Sequence, residues 1–502
     1  MINKEQRTDN LFLFGFALCA VLIHILLNGQ YGFHRDELDF IMNARRLDWG
    51  YVAYPPITPL FARIGLELFG ESLRGLRVLP AIAQGVAMIL AGLMARDMGG
   101  KRNAQLMAAF AVFIAPMSLI GGTVIMYFAF DYLWWVLVAF FLVRLLATDD
   151  PRYWIGIGAG IGLGMMTKYT MAFWVIGLIV AILVTPARKY LRSKWLYLGA
   201  ALAFLIFLPN LIWQVQHDFI SLDFLSTIHA RDIEWGRTST FIPDQFYLTT
   251  NPLSLPLWVA GLVLCLFSTS MKRFRPLGWM FVVTFLLLLG SQGRGYYIGP
   301  AYVMLFSAGA AWFENWLASH SEKTRRLGSG LAWTVLVIAG LGGIAIAKPV
   351  APINSPLWEV TSSINDVYVE MVGWQDLTET VARVYQSIPE EQKPRTVIYA
   401  GNYGEAGALD LYGKQYGLPR VISGSNNLWY RGYGDTEPAT VIVVGVDYAE
   451  AGTVFRSCKV VDKVTNSYGV KNEESTRHTE VLICRDPVIP WKDIWPETLT
   501  FQ

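Results

Sequence analysis

The chain has 502 residues, 54% hydrophobic and 16% charged, with a formal net charge of +2 and a mean hydropathy of +0.38. A soluble globular chain carries roughly 25% charge, so that class is excluded, and a net charge near zero gives nothing that points to nucleic acid. Several nearly charge-free runs reach the ~20 residues needed to cross a bilayer, which makes this a polytopic membrane protein.

The first apolar run, 11–29, follows mixed charges and lacks a small-residue cleavage site, so it is expected to remain as a helix. Directly after it comes QYGFHRDELDFIMNARRLDWGYVAYPPITP, residues 30–59. Asp36, Glu37 and Asp39 stand beside Arg35, Arg45 and Arg46, and charges this close to hydrocarbon are costly unless solvated, paired or used. The spacing of Leu38, Ile41, Met42, Leu47 and Trp49 predicts a short helix over 36–49 lying in the interface plane. Asp36 and Glu37 would sit near its N-terminus, where carboxylates suit the dipole. At this point Asp36 reads equally as a helix cap and as a catalytic acid.

Eleven candidate spans follow the hydropathy: about 11–29, 76–95, 104–121, 131–147, 153–167, 171–186, 195–213, 253–270, 277–291, 299–318 and 328–347. With the N-terminus inside, basic clusters such as Arg188, Lys189, Arg192 and Lys194 all fall on the cytoplasmic side, as the positive-inside rule expects. The loops 30–59, 214–252 and 292–298 then face outward, with everything after Lys348.

The span from Trp154 to Met166 has glycine at 156, 158, 160, 162 and 164. Without a soluble strand-helix unit around them, these glycines read as close helix packing, not as a dinucleotide fingerprint. Lys168 follows in TKYT and either snorkels or holds a phosphate. The 214–252 loop offers His217, Asp218, Asp223, His229, Asp232 and Glu234, but in no tight metal-ligand spacing. A solvated loop that closes over a substrate fits better. In SQGRGYYIGPAY, Arg294 lies between glycines beside Tyr296 and Tyr297. The tyrosines suit interface anchors, and an arginine amid glycines suits an anion, so both roles stand open.

Residues 351–502 change in composition. TVIYAG, TVIVVGV and TEVLICRD read as short strands, and EAGALDLYGKQYG between the first two reads as a helix with a glycine stop. A small, partly parallel α/β domain is expected outside the membrane. Asn402 and Glu405 would cap its helix or meet an anion. Cys19 and Cys265 lie in apolar spans as packing residues. Cys458 and Cys484 lie in the polar part and are expected to pair if it is extracytoplasmic.

An outward Asp-Glu pair after the first span, a Tyr-Pro-Pro turn at 54–56, a lysine after a glycine-rich fifth span and a basic residue before YYIGPAY occur together. Over about 1–320 the chain resembles bacterial glycosyltransferase family 39 of the GT-C superfamily, whose relatives include protein O-mannosyltransferases and the lipid A aminoarabinose transferase. The tail, with NYGEAGALDLYG and LPRVISGSNN, is similar to the periplasmic domain of uncharacterised bacterial members.

The resemblance implies a transmembrane GT-C domain over 1–350, a periplasmic α/β domain over 351–502 and a location in the bacterial inner membrane. It implies transfer of a sugar from a polyprenyl-phosphate donor to a hydroxyl of a protein, lipid glycan or polysaccharide, with inversion. Asp36 matches the first-loop aspartate that handles the acceptor hydroxyl, Glu37 its acidic neighbour, and Asp131 an acid of the second outer loop, though without the usual Thr-Pro before it. Lys168 and Arg294 match cations for the lipid phosphate; His34, Arg35, Tyr54, Tyr296 and Tyr297 would line the donor site. Tyr54 stands where some relatives have lysine, which tells against the aminoarabinose reaction. No cofactor or metal is obligatory for this chemistry, and the expected partners are the lipid-linked sugar, its acceptor and membrane lipids. A lipid or sugar transporter is the competing reading, but matched halves with broken helices are not visible in the sequence.

Overall fold

A computed structural model describes residues 4–435 and 437–502. Every one of the eleven apolar segments falls on helix, yet fewer are long enough to cross a bilayer alone. By length and composition six helices qualify among the described residues, or up to eight if each of two bent pairs is one span. The helix Tyr153–Met165 has only 13 residues. The segment 104–121 breaks between Arg102–Phe113 and Pro116–Gly121, where Pro116 cannot donate to the preceding turn.

The glycines of the Tyr153–Met165 helix serve close packing. A Cβ on Gly158 would lie 2.0 Å from the Gly199 carbonyl oxygen of the helix Lys194–Gln216. Backbones meet there because neither residue has a side chain.

After these helices the chain builds one five-stranded sheet. Its strands are β1 (Thr396–Ala400), β2 (Val421–Ile422), β3 (Thr440–Val444), β4 (Phe455–Lys463) and β5 (Glu480–Pro487), in the order β2-β1-β3-β5-β4. β1 runs parallel to β2 and β3, while β5 pairs antiparallel with β3 and β4. Cys458 and Cys484 face each other across β4 and β5 and form a disulfide.

The helix Tyr403–Tyr412, between β1 and β2, carries this C-terminal unit onto the first loop. Gly407 makes that approach possible: a Cβ there would come 2.6 Å from Leu38 Cβ. The loop helix is shorter than its sequence spacing predicts, spanning Arg35–Ala44. It also does not lie bare in the interface. Phe33, Leu38, Ile41 and Met42 join one core with Leu377, Val381, Leu409, Ile442 and Val444 of the C-terminal unit. Burying Leu38 completely is worth roughly 1.5–3 kcal/mol, which a surface position would forfeit. Leu47 and Trp49, assigned to the same face, fall beyond the helix end and stay exposed.

Candidate active site

The helix Arg35–Ala44 begins with a capping box, which decides how its acids are used. His34 is the N-cap: its Nδ1 accepts from the Asp36 backbone N–H at 3.1 Å, while the Glu37 carboxylate accepts from the His34 N–H at 2.8 Å. Asp36 is therefore not the cap. Its Oδ1 accepts instead from the Tyr403 hydroxyl of the C-terminal unit at 2.8 Å.

Glu37 is fully buried against an equally buried Arg77. Arg77 Nε and Nη2 donate to its two oxygens at 3.0 and 2.5 Å, and the Ile125 N–H adds a third donor at 2.9 Å. The Glu37 oxygens are thus occupied, and the residue fastens the loop to the start of the next span rather than facing an acceptor. The sequence reading missed Arg77, the one charge at the head of the helix Val78–Asp97.

Three other residues expected around the donor also have partners. Arg35 pairs with Glu473 at 2.5 Å and lies 3.7 Å from Glu370, with its guanidinium 5.0 Å from the Tyr403 ring centre. The Tyr54 hydroxyl is buried between Asp39 and the Asn43 amide. Arg294, read as a lone arginine, forms a two-pronged pair with Asp232, both contacts 2.6 Å. Burial pushes the Asp39 carboxyl up to about 6, against the pull of its Tyr54 hydrogen bond. Burial likewise lifts Glu370 to about 7, opposed by Arg35.

Lys168 is different. Its ammonium sits among three rings, 3.9 Å from the centre of Tyr297, 4.8 Å from Tyr127 and 5.3 Å from Tyr296, with no ion pair among the described residues. Ring faces attract a cation but do not neutralise it. Asp131, one turn inside its helix, accepts from Trp135 Nε1 at 3.1 Å and from Thr170 Oγ1, two residues after Lys168, at 3.2 Å. Tyr127 joins the two halves of the site: its ring lies over Lys168 and packs 6.1 and 6.2 Å from the rings of Phe40 and Tyr54 in the first loop.

The 214–252 loop contributes a cation that the count of its acids and histidines overlooked. Arg231, on the helix Ile220–Glu234, stacks 4.9 Å from Trp235 and has a buried Nε without a partner. The run RDIEWGR, two arginines around one aspartate, was the available signal. The loop's histidines do not gather a metal site; His217 stacks on Trp213 at 3.9 Å. Among the described residues the acids that do converge are Glu370, Glu473 and Glu474, and Arg35 already supplies a cation there.

Residues 53–213 match the family model for dolichyl-phosphate-mannose-protein mannosyltransferase. The lipid A galacturonosyltransferase RgtD of Rhizobium johnstonii is 29% identical over 223 residues, 43% of this chain and 45% of that protein. The undecaprenyl phosphate-alpha-4-amino-4-deoxy-L-arabinose arabinosyl transferase 1 of Pseudomonas fluorescens is 33% identical over 29% of this chain and 28% of its own. The match thus spans less than half the length of either relative. The structure of ArnT from Cupriavidus metallidurans bound to undecaprenyl phosphate aligns with 93% of this chain and 97% of its own, at 14% identity and a TM-score of 0.58. The chain has the GT-C fold.

Sequence and fold therefore agree on the GT-C resemblance, and the fold is that of a multi-pass membrane protein. Tyr127 thus touches both Lys168 and the first loop, while Glu37, Arg77, Arg35 and Tyr54 form the frame that holds that loop.

Proposed function

We propose that this protein is an integral-membrane glycosyltransferase that moves a sugar from a polyprenyl-phosphate donor to a hydroxyl of a lipid-linked glycan on the outer face of the bacterial inner membrane. The observation that carries the reading is the arrangement about Tyr127. The Tyr127 ring lies 4.8 Å from the unpaired Lys168 ammonium and packs 6.1 and 6.2 Å from the rings of Phe40 and Tyr54 in the loop that carries Asp36. A cation for the leaving phosphate and a carboxylate for the acceptor proton are what inverting transfer from a polyprenyl phosphate uses.

In the step itself, the acceptor oxygen attacks the anomeric carbon while the bond from that carbon to the phosphate oxygen breaks. The acceptor proton passes to the Asp36 carboxylate, and the polyprenyl phosphate leaves with the bonding electron pair. Lys168 stabilises the negative charge growing on that phosphate. Arg294, fixed by Asp232, and Arg231 extend the cationic side. Asp131, bonded to Trp135 and Thr170, holds the turn that carries Lys168 rather than acting on the sugar.

An apolar cavity of about 240 Å³ supports a lipid-linked donor. Phe246, Trp258, Phe281, Phe285 and Tyr302 line it, and Gln245 in its wall donates to the Gly295 carbonyl beside Arg294 at 3.1 Å. One relative is named for lipid A, which supports a glycolipid acceptor, and the other for an undecaprenyl-phosphate sugar, which supports the donor class.

The reading is tested by binding of undecaprenyl phosphate to purified wild type and Lys168→Ala. A loss of affinity of about 10²-fold is expected in a variant that still unfolds at the wild-type temperature. Equal affinity would remove Lys168 from the donor site.

A further inference from the structure

We propose that Tyr403 is a positioning residue for Asp36, so that the C-terminal unit completes the active site instead of merely covering it. The inference rests on the proposed role of Asp36 as the base. Asp36 and Tyr403 are 367 residues apart in sequence, yet the hydroxyl reaches Oδ1 at 2.8 Å. Among the described residues no other side chain donates to Asp36. A carboxylate held by one oxygen presents the other in a fixed direction, here to an acceptor hydroxyl.

Tyr403 is built to stay where it is. It is the first residue of its helix, directly after a capping box in which the Glu405 N–H donates to Asn402 at 2.9 Å and the Glu405 carboxylate accepts from the Asn402 N–H at 3.2 Å. Gly404 next to it brings the backbone against Arg35: a Cβ there would lie 3.0 Å from Arg35 Cβ. The Arg35 guanidinium rests 5.0 Å from the Tyr403 ring and is itself held by Glu473. Burial pushes the phenol well above its ordinary range, so the hydroxyl remains a donor wherever an enzyme of this type would work.

The charged and titratable groups facing Asp36 come from three places. His34, Arg35 and Asp39 belong to its own segment, Tyr403 and Glu370 to the C-terminal unit, and Tyr127 to the span behind. Of these, Tyr403 is the one that donates a side-chain hydrogen bond to it.

The test compares Tyr403→Phe with wild type and Asp36→Asn in the full-length protein, using undecaprenyl phosphate-linked aminoarabinose and galacturonic acid as donors. Phenylalanine keeps the ring under Arg35 and removes only the hydroxyl. The expected result is a kcat reduced at least tenfold with undecaprenyl phosphate affinity within twofold of wild type. Unchanged kcat would overturn the inference. So would loss of undecaprenyl phosphate binding together with turnover, which would make Tyr403 a purely structural residue. Full turnover by Asp36→Asn would instead remove the base assignment on which the inference rests.

Discussion

The first loop and the Lys168 pocket meet at Tyr127 and treat charge in opposite ways. In the loop nearly every ion has a partner: Glu37 has Arg77, Arg35 has Glu473, and Arg45 has Asp410. Around Lys168 the neighbours are tyrosine rings, and the ammonium forms no ion pair among the described residues. Paired buried charges hold a shape, and removing one partner exposes the full cost of the other. An unpaired, sheltered charge leaves its neutralisation to a ligand. On the proposed reading, the contrast separates the residues that build this site from those that would meet substrate.

The contrast is broken most directly at Glu37. Glu37→Gln leaves Arg77 buried without its counter-charge and should lower folding stability by about 3–5 kcal/mol. Chemical unfolding of the detergent-solubilised protein would reveal it; a stable variant that lost only turnover would place Glu37 with the reacting groups after all. Next in size is Lys168→Met, which should preserve stability but weaken undecaprenyl phosphate binding by about 10²-fold, or ~2.7 kcal/mol. Titration of intrinsic tryptophan fluorescence would distinguish that from general unfolding.

A pH effect should come third. Burial raises Asp39 from 3.8 to about 6 and Glu370 from 4.5 to about 7. Both bind protons more tightly when folded, so their contribution is complete below the unfolded values and is lost as pH rises through about 6 and 7. The seam between the loop helix and the C-terminal unit should loosen from pH 6 to pH 8 by on the order of 1–2 kcal/mol. Faster amide exchange in the helix Tyr403–Tyr412 at pH 8 would show it, whereas equal protection at both values would mean that the seam does not sense these acids. The smallest effect belongs to Tyr54→Phe. Its hydroxyl serves Asp39 and Asn43, so its removal should cost about 1 kcal/mol of stability and leave donor affinity unchanged. A large loss of donor binding would return Tyr54 to the substrate-facing group.

Much of the architecture was legible because apolar length and glycine spacing are local signals. The eleven segments, the packing glycines and the strand-helix alternation of the tail each follow from residues within a few turns of one another. Partnership was not legible, because it joins distant positions. No local pattern ties Glu37 to Arg77, Arg294 to Asp232 or Asp36 to Tyr403. Of the amphipathic spacing read over 36–49, only Leu38, Ile41 and Met42 share a buried face, and the sequence could not say that protein would cover it instead of lipid. Asp36 shows the same limit. Its place near a helix start is visible in sequence, whereas its release from capping depends on His34 accepting the N–H that an aspartate usually takes.

The central claim is that Asp36 is the base of a sugar transfer from a polyprenyl phosphate. Its most direct test is release of labelled sugar from undecaprenyl-phosphate donors by purified full-length protein, comparing wild type with Asp36→Asn. That substitution keeps the shape and an acceptor for the Tyr403 hydroxyl while removing the basic carboxylate. The account predicts turnover by wild type and its loss in a variant that folds and still binds undecaprenyl phosphate. Turnover retained by Asp36→Asn would contradict it.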